Sequence, residues 1–160
     1  MTPDTIKALK AVAVPFANRF IKSAPQGKSG EYVPHDIVNQ KALAIFGFHT
    51  FEIIELIRGD VPAWVDKKTG EVRRAARPDG VVGVRARLTV EIDGKTVSIV
   101  EVGSEDNPQL ENDADNAKKA ASDAYKRCWM RMGLGLHLWS GSDYELPKML
   151  EFYQAPDVSA

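Results

Sequence analysis

From Val82 to Ile92 apolar and polar positions alternate without a break. Val82, Val84, Ala86, Leu88, Val90 and Ile92 stand against Gly83, Arg85, Arg87, Thr89, Glu91 and Asp93. A period of two marks a half-buried strand. Asp93-Gly94 is a tight-turn signal, and Lys95 to Val102 returns as the antiparallel partner. The outer face of this hairpin turns Arg85 and Arg87 to solvent or to a ligand. Upstream, Phe51, Ile53 and Glu55 alternate with Glu52, Ile54 and Leu56, a strand with apolar residues on both sides. Near the start, Thr2 caps and Pro3 opens a short helix with Ile6, Leu9, Val12 and Ala13 as its apolar stripe, ended by Pro15. A second helix begins at His35 or Asp36, holds Ile37, Lys41, Ala44 and Phe46, and stops at Gly47.

The longest periodic stretch runs from Asn112 to Gly135. Ala114, Ala117, Ala121, Ala124 and Cys128 recur at steps of three and four, which predicts a helix with one face of small residues. Asn112 is its N-cap, Asp113 and Asp115 suit the positive end of its dipole, and Arg127 and Arg131 the negative end. Gly133 or Gly135 ends it. Lys119 and Lys126 lie two turns apart on another side, with Lys118 and Arg127 beside them. So flat a face predicts close packing against a sheet, which leaves the charged side to meet a polyanion. Tyr125 and Trp129 are expected in the core rather than at a ligand. A short helix is expected from Glu145 to Tyr153, and Gln154 to Ala160 as a frayed tail.

Two segments interrupt the periodic elements. Pro25 to Glu31 reads as a loop containing Gly27-Lys28-Ser29, the end of a phosphate-binding P-loop. That motif also needs a glycine five residues earlier, where Lys22 stands, so no NTPase is expected. Asp60 to Gly80 is a basic insertion with its own hairpin: Val61 to Val65, a Lys-Lys-Thr-Gly turn, then Glu71 to Arg74. Arg73, Arg74 and Arg77 with an interleaved Trp64 suit an arm that touches phosphates, or equally a solvated hairpin.

Composition narrows the classes. A chain of 160 residues, 44% hydrophobic and 27% charged, fits one soluble domain with a real core. No run approaches the roughly eighteen apolar residues of a membrane span, and the start lacks a secretory signal. The single Cys128 allows no internal disulfide, which favours a reduced, cytoplasmic setting. A net charge of −1 is unlike a nucleic-acid binder, but the charge is segregated. From Arg58 to Arg87 eight basic residues face four acids, whereas from Glu91 to Asp115 only Lys95 opposes eight acids. Such segregation is compatible with a positive groove, with head-to-tail attraction between copies, or with solvated faces that merely cluster. Neither the three histidines (His35, His49, His137) nor the cysteine has metal-ligand spacing, and no nucleophile elbow is present. The acids from Glu101 to Asp115 read as a loop and a helix start rather than a magnesium site. The expectation is an α+β protein without cofactor or metal, one face of its antiparallel sheet covered by the long helix, that binds rather than catalyses.

Three blocks resemble the Rad-fifty-two family of single-strand annealing proteins, in a short phage- or bacterial-type form. They are Tyr32 to Phe48, Val82 to Gly103, and Ala117 to Gly135, where Asp123, Lys126 and Arg127 keep the family's spacing; Leu136 to Tyr144 echoes its short tail. The resemblance implies an annealing domain over residues 1–153 that assembles into a ring or helical oligomer. Single-stranded DNA would lie in a groove between the helix-bearing body and the projecting hairpin 60–80, and strands would pair without ATP. It carries the groove-floor lysine and arginine to Lys126 and Arg127, and an earlier basic position to Lys118. The family's groove arginine in the first block falls at Ile37, and Lys41, one turn on, is the substitute candidate. Two other classes stay open: a homo-oligomeric scaffold that binds protein through its acidic and basic segments, and a small enzyme using His35 or His137.

Overall fold

The computed structural model describes residues 2–24, 30–105, 107, 108 and 112–153. Pro25 to Ser29, including Gly27-Lys28-Ser29, and the tail Gln154 to Ala160 lie outside the described residues. In order the elements are α1 (Pro3–Ala13), β1 (Lys22–Ser23), β2 (Glu31–Tyr32), α2 (His35–Phe46), β3 (Thr50–Val61), β4 (Trp64–Val65), β5 (Val72–Arg74), β6 (Arg77–Ile92), β7 (Lys95–Ser104), α3 (Asp113–Arg131), α4 (His137–Ser140) and α5 (Leu146–Glu151). The sheets are β1-β2, β3-β6-β7 and β4-β5, a mixed α+β content with antiparallel pairing. The chain forms two compact units, one of residues 1–49, 89–97 and 129–160, the other of 50–88 and 98–128.

In the first unit α1 packs against α2 and α5. Thr2 caps α1 through a hydrogen bond from the Thr5 N–H to its hydroxyl, as the residue type requires. Ile6, Val12 and Ala13 are buried; Leu9 is only half-buried. The buried positions of α2 are Val38 and Ala42, and its last turn closes with the Gly47 N–H on the Leu43 carbonyl at 2.9 Å. Trp129 is fully buried, stacked on Phe46 at 5.2 Å between centroids and met edge-on by His49 at 5.0 Å. Glu31, expected in a loop, pairs instead with Ser23. The helix expected from Glu145 to Tyr153 is confined to Leu146–Glu151, and α4 forms within a segment for which no element was expected.

In the second unit Val84, Ala86, Ala120 and Ala124 form a core of fully buried side chains, with Phe51 and Ala121 packed on it. The alternation of β6 slips at its start. Val81 is buried and Val82 only partly so, lying where a Cβ on Gly59 would meet it. The expected period therefore holds from Val84 onward. The link from Ile92 to Lys95 is two residues, Asp93 and Gly94, both with positive φ (53° and 67°). That geometry makes β6 and β7 an antiparallel hairpin with a turn matched to strand twist.

The buried stripe of α3 differs from the expected one. It runs Asn116, Ala120, Ala124, Cys128, with Tyr125 beside it, whereas Ala114 is exposed and Ala117 half-exposed. Ala124 and Cys128 are buried as expected; the N-terminal half of the stripe differs, because the polar Asn116 breaks the apolar pattern in sequence. Its amide is satisfied on the donor side by the carbonyls of Val81 at 2.9 Å and Pro108 at 3.2 Å, as a buried amide requires. Gly103 of β7 meets this stripe so closely that a Cβ there would collide with the Ala120 carbonyl and the Ala124 amide. Asn112 caps the helix: its side-chain oxygen accepts from the Asp115 N–H at 2.9 Å.

Candidate nucleic-acid interface

The cations of α3 lie off the buried stripe. Lys118 is paired with Asp115 at 3.5 Å and its side chain is 78% exposed, so the pair holds little energy and a polyanion can displace it. Lys119 reaches the Glu105 carboxylate at 3.9 Å, and Lys126 is half-buried. Arg127 donates through Nε to Asp123 Oδ2 at 2.8 Å, and the same oxygen accepts the Ser104 N–H at 3.3 Å. Asp123 thus ties the end of β7 to α3 and aims Arg127 at once. The spacing Asp123-Lys126-Arg127 is a structural device as well as a charge pattern.

The outer sheet face is not an open positive surface. Arg85 pairs with Glu55 at 2.9 Å and Arg87 with Glu52 at 2.6 Å, all four side chains about half exposed. Both carboxylates come from β3. A polyanion approaching here must displace or share these partners.

Asp113, the first residue of α3, gathers three donors. Its Oδ1 accepts from Arg77 at 2.9 Å and from the Val81 N–H at 3.2 Å, and its Oδ2 lies 3.6 Å from Arg58. Arg58 also donates to the Asp79 carbonyl at 2.8 Å. The strand limits place Asp60 and Val61 in β3 and Arg77 in β6, so the separate arm spans residues 62–76. Arg77, expected on the insertion, is instead held at the start of β6 by Asp113.

Within the arm the cations are sorted again. Trp64 pairs across the strands with Arg74 and Val65 with Val72, which leaves Arg73 as an extra residue on β5. Bulged out, Arg73 reaches Asp66 at 3.4 Å and Glu71 at 3.0 Å. Asp66 also accepts the N–H groups of Lys68 (2.9 Å) and Thr69 (3.3 Å), and these bonds hold its carboxyl below the usual carboxylate range. Lys67, Lys68 and Arg74 have no ion-pair partner among the described residues.

Lys41 sits elsewhere. Its ammonium donates to the Val14 carbonyl and lies 4.6 Å from the Phe16 ring centroid. Burial lowers its pKa. Its ammonium is engaged within the first unit. His137 lies between Phe16 (6.0 Å) and Tyr144 (5.8 Å), its pKa lowered by burial and then by Lys41, with Glu31 opposing. The Tyr144 hydroxyl donates to the Ala13 carbonyl at 2.5 Å. His35 opens α2 and His49 lies against Trp129. Cys128 is buried, its thiol directed to the Ile99 carbonyl at 3.8 Å and pushed up to about 11 by desolvation and then by Glu101.

The residues that sequence reasoning missed are acids. Glu52, Glu55 and Asp113 decide which arginines are committed, and each does so across 30 or more positions of sequence. Local patterning carries no signal for such pairs beyond opposite charges on adjacent strands. Among the described residues no helix is long and apolar enough to cross a membrane. A family model described as Rad52/22 family double-strand break repair protein matches residues 5–154. No curated protein matches the chain.

Proposed function

This chain belongs to the Rad52/22 family of double-strand break repair proteins, and on that premise we propose that it binds single-stranded DNA and anneals complementary strands without ATP. The observation that carries the reading is the match itself, which extends over residues 5–154. Annealing needs a backbone gripped by cations while the bases remain free to search, so phosphate contacts dominate and base-edge readout is scarce. Lys126 and Arg127 are the central contacts of this reading, with Lys118 and Lys119 extending the track along α3. Arg85 and Arg87 join it only by exchanging Glu55 and Glu52 for phosphates, and Lys41 takes no part. No step calls for a nucleophile or a cofactor; the work is binding and alignment.

Assembly into a ring or filament belongs to the same proposal. The two outer strands of the β3-β6-β7 sheet expose apolar side chains: Ile53, Ile54 and Leu56 on β3, and Val97, Val100 and Val102 on β7. Exposed apolar edge strands suit pairing with further copies of the chain. The test is an anisotropy titration with a labelled mixed-sequence single strand at several salt concentrations. Lys126→Glu and Arg127→Glu are expected to weaken binding about tenfold or more each and to flatten the salt slope by about one. Parent protein that ignores the oligonucleotide at low salt, or variants that bind it as tightly as the parent, would overturn the reading.

A further inference from the structure

We propose that the β4–β5 arm is a second, base-stacking contact, in which Trp64 takes the face of a nucleobase and Arg74 the adjoining phosphate. This rests on the single-strand reading above and adds a residue pair that uses a different part of the ligand. Trp64 and Arg74 are partners across the two strands, so their side chains leave the same face of the arm about 5 Å apart at the Cβ atoms. Trp64 is 39% exposed, in a hairpin too short to have a core of its own.

The charges of the arm point the same way. Both of its acids, Asp66 and Glu71, are taken by the bulged Arg73. Lys67 and Lys68 at the turn and Arg74 beside the indole are left without acidic partners among the described residues. The bulge therefore does two things: it sets one arginine on the arm's own acids, and it brings the next one level with the tryptophan. An exposed indole flanked by unneutralised cations is the pairing that holds single strands without regard to sequence, the ring on a base and the cations on the backbone. A protein partner would find apolar side chains on the arm too, Val65 and Val72, but three unneutralised cations on so short a segment favour a polyphosphate.

The test titrates parent, Trp64→Ala, Trp64→Phe and Arg74→Gln with a mixed-sequence oligonucleotide and with a base-free sugar–phosphate oligomer of equal length. Trp64→Ala is expected to weaken the mixed-sequence strand about tenfold with the salt slope unchanged, since stacking releases no counterion. Trp64→Phe should recover most of the loss. Arg74→Gln should lower the slope by about one. On the base-free oligomer, parent and Trp64→Ala should bind alike. If Trp64→Ala bound the ordinary strand as the parent does while Lys126→Glu did not, the arm would be idle and the α3 track would stand. If parent bound neither oligomer, both readings would fall. A Trp64→Ala protein that bound both oligomers less well and changed its assembled mass would make the arm a protein contact and overturn the stacking role.

Discussion

The α3 seam and the β4–β5 arm belong to the same compact unit and answer to opposite demands. Along the seam, Ala120, Ala124 and Cys128 are wholly buried and Gly103 touches helix backbone. Side-chain size there is dictated by the neighbouring element. On the arm every residue of both strands is exposed, so nothing in the chain dictates a tryptophan at 64 or an arginine at 74. A residue unexplained by its own fold is a candidate for explanation by a ligand, and a residue fully explained by packing is not. Tyr125 and Trp129 illustrate the second case: both flank the cations of α3 in sequence, yet both are core.

That contrast breaks first at Gly103. Gly103→Ala drives a methyl into the backbone of α3, which cannot yield as a flexible side chain would, and is expected to cost about 3 kcal/mol or more. A urea transition at the parent's midpoint would show that the seam is looser than described. Asn116→Ala comes next. It strips the donor from the Val81 and Pro108 carbonyls and should cost about 2 kcal/mol, read from the same transitions. Trp64→Ala, by contrast, should move stability by no more than about 0.5 kcal/mol. A larger loss would mean that the arm is part of the core's support.

The smallest effect sharpens the same division. The Asp66 carboxyl is depressed by the turn's own N–H groups. Its contribution to the turn is complete above the ordinary carboxylate value of 3.8 and is lost as pH falls below that through the depressed folded value. Amide signals of Lys68 and Thr69 should shift only in that acid window, while signals from the seam stay in place. Coincident loss of both would join the arm to the global transition.

Local signals were readable in the sequence because they act over a few residues. Thr2 and Pro3 opened α1, Asn112 opened α3, and Asp93-Gly94 fixed the long hairpin. The helical stripe is legible at Ala124 and Cys128 but not in its first half, because alanine carries little apolar signal and the position that leads the stripe is Asn116, whose burial depends on carbonyls 35 and 8 residues away. The role of Gly103 was equally hidden: a glycine in a strand announces close approach but not to what. The candidate site was legible as a set of cations and illegible as a set of available ones. Arg85, Arg87 and Arg77 looked equivalent to Arg74 until the acids opposite them were in place, and Lys41 until its ammonium met the Val14 carbonyl.

Cys128 has a practical consequence. The protein's one thiol is shut inside the seam and its ionisation is displaced to about 11, so at neutral pH it offers almost no thiolate to an alkylating reagent. A cysteine introduced at Thr69 on the tip of the arm, beside the cations rather than in place of one, would be the sole reactive thiol of the folded molecule. A dye placed there would report on strand capture without removing the native residue first.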